Sequence, residues 1–171
     1  MADEIYGSVA DSKAYFDARG VTGWDDDGTD DATLAAVLLR ATEFIDGRYV
    51  GMFPGIKVGM RAQIREWPRS AAYDRDYYPI PPDEIPVEVI HATYEAALRE
   101  KQSPGTLTPD IDFSARRESV RVEGAVSVTY SSLPMRAEVY RKIITIVDQI
   151  ISRVLTGQGN TSSLSGAARR V

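Results

Sequence analysis

Lys57, Arg61, Arg65 and Arg69 fall close together, with Trp67, Tyr73, Tyr77 and Tyr78 among or beside them. Guanidinium and ammonium groups hold phosphates, and aromatic faces stack bases, so this mixture can grip a single nucleic-acid strand. Arginine and tyrosine are equally favoured at protein–protein interfaces, and Asp74, Asp76, Asp83 and Glu84 dilute the positive field. The densest part runs Gln63-Ile64-Arg65-Glu66-Trp67-Pro68-Arg69. Pro68 biases Trp67 towards extended backbone and removes a donor, which predicts an ordered irregular loop and no helix. Trp67 then either anchors a docking surface, plugs the end of a small helical core, or does both.

Other chemistries find less support. His91 is the only histidine and there is no cysteine, so neither a His-rich zinc site nor a thiolate can form. No serine motif accompanies that imidazole, which reads as structural or superficial. Asp25-Asp26-Asp27, followed by Asp30 and Asp31, lacks the spaced ligands and distal glutamate of a calcium loop. A solvated link and favourable charge at a helix N-terminus explain the cluster. Gly51, Gly55 and Gly59 make no phosphate cradle and predict sharp turns instead. No residue is nominated as catalytic, cofactor-binding or metal-binding; the expectation is no enzyme and no cofactor.

The elements that must position these residues are mainly helical. Ser8 and Asp11 have capping-box form, and Gly20 supplies a stop, with Val9, Ala10, Ala14, Phe16 and Ala18 on one side. Thr29 or Asp30 caps a second helix carrying Leu34, Val37, Leu38, Ala41 and Ile45, which Gly47 can end. A connector over about 48–82 shows no sustained period and is long for a compact domain. Asp83 and Pro86 open a third helix with Ile90, Tyr94, Ala97 and Leu98 buried, and Ser103-Pro104-Gly105 breaks it. Val120, Val122, Val126 and Val128 around Glu123-Gly124 predict a hairpin at about 117–131. Met135 to Leu155 carries the strongest helical stripe: Val139, Ile143, Ile146, Ile150 and Val154, widened by Val147 and Ile151.

The expected architecture is therefore a mainly α fold, a bundle of about four helices with a β-hairpin insertion and an extended C-terminal arm. A helical domain would occupy 1–155, and the Gly/Ser-rich residues 156–171 would form the flexible arm. A length of 171 residues with 43% hydrophobic content fits one core. Net charge is −5, which argues mildly against a nucleic-acid coat without excluding a local patch. The start Met1-Ala2-Asp3-Glu4 carries no secretory signal, and no stretch reaches the roughly 20 apolar residues of a membrane span. A soluble protein made in a cytoplasm is expected.

The order of segments resembles a family of tailed-phage head–tail connectors, or adaptors, some of whose members carry the label DnaT-like single-stranded DNA-binding protein. The matching residues are Tyr6-Gly7-Ser8, Ala14-Tyr15-Phe16, Arg19-Gly20, Trp24, Leu38, Ala41-Thr42, Ile45-Asp46, Tyr49 and Gly51. They continue through Arg61-Ala62-Gln63, Trp67-Pro68-Arg69, Ile85-Pro86, Val89, Ala92, Val122-Glu123-Gly124-Ala125-Val126 and Tyr130. The family commonly has an arginine after the first glycine of Gly51-Met52-Phe53-Pro54-Gly55, and this chain does not.

The resemblance implies a structural virion protein, made in the host bacterial cytoplasm and placed at the phage neck. It would form a homo-oligomeric ring, usually of twelve copies, on the portal protein and link capsid to tail. A further neck or tail-completion protein would bind below, DNA would pass through the channel without sequence-specific binding, and no membrane would be involved. Arg61, Arg65, Trp67, Arg69, Arg169, Arg170 and Val171 are the expected partner-binding residues; Val122, Glu123, Gly124 and Val126 are the expected inter-subunit hairpin. The alternative is a DnaT-like single-stranded DNA-binding or primosomal protein. One exposed face shared by Arg61, Arg65, Trp67 and Arg69 would favour that alternative.

Overall fold

A computed structural model describes residues 5–25, 28–109, 119–122, 126–129 and 144–156. Among the described residues the fold is mainly helical, with four α-helices and a hairpin, as the patterning predicts. In chain order the elements are α1 (Val9–Asp17), α2 (Asp31–Tyr49), β1 (Ile56–Lys57), β2 (Arg69–Ser70), β3 (Ala72–Tyr73), β4 (Pro79–Ile80), α3 (Val87–Gln102), β5 (Ser119–Val122), β6 (Val126–Thr129) and α4 (Thr145–Ile151). The expected C-terminal arm lies outside the described residues beyond Thr156.

Helix α1 starts where expected. The Ser8 hydroxyl accepts the Asp11 N–H at 3.1 Å and donates to the Asp11 carboxylate at 2.7 Å. Its buried side differs from the alanine-rich one predicted: Ser12, Tyr15 and Phe16 face inward, while Ala10, Ala14 and Ala18 are exposed. Aromatic rings remove far more apolar area from water than methyl groups, so they set the rotation of a short helix. Ser12 is buried with a purpose, since its Oγ accepts the Trp24 indole N–H at 3.0 Å.

Helix α2 is capped by Asp30, whose carboxylate accepts the Thr33 N–H at 2.7 Å. It runs past Gly47 to Tyr49, because burial of Ile45 and Tyr49 holds the final turn against glycine's weak propensity. Helix α3 lies centrally against α2 and α4. Pro86 precedes its first turn, where a missing N–H costs nothing. More of α3 is buried than its apolar stripe predicts, including Glu95 and Glu100. Both carboxylates are satisfied: Glu95 takes the Tyr15 hydroxyl and Arg99, and Glu100 takes Arg40 and the Gly105 and Leu107 amides.

The described part of the last helix is α4, shorter than the expected Met135–Leu155; Val139 and Ile143 lie outside the described residues. Val147 and Ile151 are buried, with Ile146 and Ile150 at the margin and Val154 buried just beyond the helix. Arg48 grips Asp148 through Nε and Nη2 at 3.1–3.2 Å, and the Tyr49 hydroxyl donates to the same carboxylate, pinning the end of α2 to α4. In the hairpin of β5 and β6, Val122 pairs with Val126; Glu123 and Gly124 lie outside the described residues.

The connector is ordered as two successive small hairpins. β1 pairs antiparallel with β2 (Lys57 opposite Arg69), and β3 with β4 (Tyr73 opposite Pro79). Gly55 makes the first possible: its φ is +66°, and a Cβ there would lie 2.2 Å from the Ser70 carbonyl oxygen. Trp67 plugs the core, 2% exposed, with its ring edge-on to Phe53 at 5.7 Å. Its backbone N–H donates to the Tyr6 hydroxyl at 3.0 Å, and that hydroxyl donates to Asp46. Tyr6 thus joins the N-terminal segment, α2 and the connector at one oxygen.

Candidate nucleic-acid interface

The basic residues singled out in the sequence do not share one exposed face. Arg69 is a clamp inside the first hairpin: Nε donates to the Pro54 carbonyl at 2.7 Å, Nη2 to the Gly55 carbonyl at 2.8 Å, and Nη1 to Glu66 at 2.8 Å. Arg65 is mostly buried between Glu43 and Asp46, at 3.6 and 3.8 Å. Lys57 pairs with Glu66 at 3.3 Å. A guanidinium offers five donors in a rigid fork; carbonyls and a carboxylate of the same loop take those of Arg69, while Arg65 turns to the carboxylates of α2. The expectation that Arg65, Trp67 and Arg69 meet a partner directly is therefore corrected: they hold the connector together. Arg61 alone of that set is exposed, on a single 3-10 turn at Met60–Ala62. Arg169, Arg170 and Val171 lie outside the described residues.

The aromatic half of the patch is presented differently. Between β3 and β4 the chain turns at Asp74–Tyr78, and Asp74 organises the whole turn. Its carboxylate accepts the Asp76 N–H at 2.9 Å and the Tyr78 N–H at 2.8 Å. Its backbone N–H donates to the Tyr78 carbonyl at 2.9 Å, and its carbonyl accepts the Tyr77 N–H at 3.1 Å. An aspartate that binds its own following amides fixes a turn locally. Tyr77, at φ +67°, is 86% exposed; Tyr78 is 69% exposed and Tyr73 52%. Three large rings are held in water on a braced loop.

One arginine lies within this turn, and the backbone of a second, distant in sequence, meets it there. The Arg75 N–H donates to the Arg153 carbonyl at 2.8 Å, which fastens the turn to the residues following α4. Both arginines are exposed, and neither takes an ion pair among the described residues. Sequence reading marked the tyrosines but missed Arg75 and Arg153. Only the tertiary contact reveals their proximity.

The remaining candidates have structural roles. His91 packs against Tyr15 at 4.6 Å between ring centroids, and burial lowers its pKa, with Arg19 adding to the effect. Lys13 pairs with Asp31 at 2.8 Å and Asp25 at 3.7 Å; Asp26 and Asp27 lie outside the described residues. Among the described residues no three His, Cys, Asp or Glu side chains converge to hold a metal, and no helix is long and apolar enough to cross a membrane.

The family model described as "Putative DnaT-like ssDNA binding protein" matches residues 2–171. No curated protein matches the chain, and no solved structure does. The match corrects the expected membership of a head–tail connector family. With it fall the virion-connector function, the portal and tail-completion partners, the ring of twelve, and the passage of DNA without binding. The residues that carried the resemblance belong instead to the group bearing the other label. The chain is a member of the family of DnaT-like ssDNA binding proteins.

Proposed function

We propose that the chain binds single-stranded DNA through the Asp74–Tyr78 turn, with Tyr73, Tyr77 and Tyr78 stacking on bases and Arg75 and Arg153 holding phosphates. The observation that carries this reading is the exposure of Tyr77 and Tyr78 on a turn that Asp74 braces, with Tyr73 exposed at the end of β3 beside it. A braced loop loses little freedom when it binds, so ring contacts translate into affinity. Stacked bases in a duplex hide their faces, whereas a single strand offers them, and every base has one. The family label points to the same ligand.

Charge fits a binder that relies on rings more than on a blanket of cations. Net charge is −5, and most described lysines and arginines are already paired within the fold. The proposed function is binding; the one imidazole, His91, lies tilted against the Tyr15 ring.

A salt titration of oligonucleotide affinity tests the assignment of Arg75 and Arg153. Each phosphate contact on a single strand contributes about 0.7 to the slope of log K against log salt. Arg75→Ala and Arg153→Ala should each flatten the slope by about that amount, and Tyr77→Ala should lower affinity while leaving the slope alone. Arginine variants with an unchanged slope would remove both residues from the site.

A further inference from the structure

Beside the tyrosine turn lies a cleft of about 400 Å³, lined by Tyr49, Met52, Arg75, Asp148 and Leu155 with the hydroxyls of Ser152 and Thr156. That volume is within the range of small-molecule sites, roughly 300–1,000 Å³. Met52, Leu155 and the Tyr49 ring make its apolar surface. Most of its polar donors are already spent. Ser152 donates to the Gln149 carbonyl, Thr156 to the Met52 carbonyl, and the Tyr49 hydroxyl to Asp148. Burial and the neighbouring Asp148 both push the Tyr49 hydroxyl pKa up, so it stays a donor.

Two groups keep capacity. Among the described residues Asp148 Oδ2 takes a single bond, from Arg48 Nη2 at 3.2 Å, and a carboxylate oxygen can accept two. The Arg75 guanidinium has no partner among the described residues. The cleft therefore offers an apolar plate, one free acceptor and a cation, and Arg75 belongs both to it and to the tyrosine turn. A flat base with a donor amine and an attached phosphate is the complement of that set.

We propose that the cleft seats one everted nucleotide of the bound strand, its base against Met52 and Leu155, its exocyclic amine on Asp148 and its phosphate on Arg75. The proposal rests on the single-stranded DNA reading above and adds a base preference to it. Pockets for extruded bases combine apolar packing with hydrogen bonds to the base edge. Cytosine presents the N4 amine where thymine presents the O4 acceptor. With Arg75 on the phosphate, the group left for the base edge only accepts, which favours cytosine over thymine.

The full chain labelled with [13C]methyl-methionine tests the seat, with the Met52 signal identified by its loss in Met52→Leu. Deoxycytidine monophosphate should shift that methyl by ring current. Deoxythymidine monophosphate should do so only at higher concentration, and inorganic phosphate should not do so at all. Leu155→Trp, which fills the cleft, should abolish the response and lower oligonucleotide affinity about tenfold, within what one stacked base contributes. A Met52 methyl unmoved by deoxycytidine monophosphate in the wild-type chain would overturn the seat. So would unchanged oligonucleotide affinity in Leu155→Trp, and in either case binding at the turn would stand. A wild-type chain that binds no oligonucleotide overturns both.

Discussion

Replacing Tyr6 by phenylalanine probes the junction that gives the connector its shape. The ring stays, so packing in the 1%-exposed site is kept and only the oxygen is lost. That oxygen accepts the Trp67 backbone N–H at 3.0 Å and donates to Asp46. A buried N–H left without an acceptor costs about 1–3 kcal/mol, and a hydrogen bond to a charged group contributes about 1.5–3 kcal/mol. The sum is about 2.5–6 kcal/mol if nothing relaxes. Asp46 keeps Arg65 nearby at 3.8 Å, which favours the lower half, about 2.5–4 kcal/mol. With a urea m-value of roughly 2 kcal/mol/M, the unfolding midpoint should fall by about 1–2 M. A midpoint within about 0.25 M of wild type would refute the view that this hydroxyl ties the loop to the helices.

Trp67→Ala should cost about 3–5 kcal/mol, read as a lower melting temperature, because a buried indole leaves a cavity against Phe53; a wild-type melt would return Trp67 to the surface. Gly55→Ala should destabilise the first hairpin by about 1–3 kcal/mol, since it combines strain at positive φ with the Ser70 carbonyl 2.2 Å away; an unchanged urea midpoint would contradict that geometry. Asp46 supplies the pH test: burial raises its pKa from 3.8 to about 6, against the opposing pull of the Tyr6 and Glu66 hydrogen bonds and of Arg65. A carboxyl raised in the folded state binds its proton there first, so its contribution is fully present below pH 3.8 and lost as pH rises through about 6. Asp46→Asn should remove that fall from urea midpoints measured between pH 4 and 7, and a difference from wild type that does not vary with pH would contradict it.

The helices were legible because local chemistry dictates them. Ser8, Asp30 and Pro86 mark starts that the structure keeps, and the apolar spacing of α2 is its buried face. The rotation of α1 was not legible, because a period counts alanine and tyrosine alike while burial weights them by area. The direction of the connector arginines was hidden for a similar reason. Sequence shows a guanidinium but not the carbonyls of Pro54 and Gly55 that absorb it. Arg153 could not be found at all, since its carbonyl meets the Arg75 N–H only through a contact between segments far apart in sequence. The tyrosines were visible as residues, but Asp74, noted only as a diluting charge, proves to brace the turn that displays them.

Oligonucleotide binding by the wild type and by a Tyr77→Ala, Tyr78→Ala double variant tests the central claim most directly. Fluorescence anisotropy would compare a single strand with the duplex of the same sequence. Both tyrosines are exposed, so the variant should melt as the wild type does. The wild type should prefer the single strand, and the variant should lose about 1–3 kcal/mol of binding per stacking ring removed. Equal affinity of variant and wild type, or a duplex bound as tightly as the single strand, would contradict a stacking site at the Asp74–Tyr78 turn.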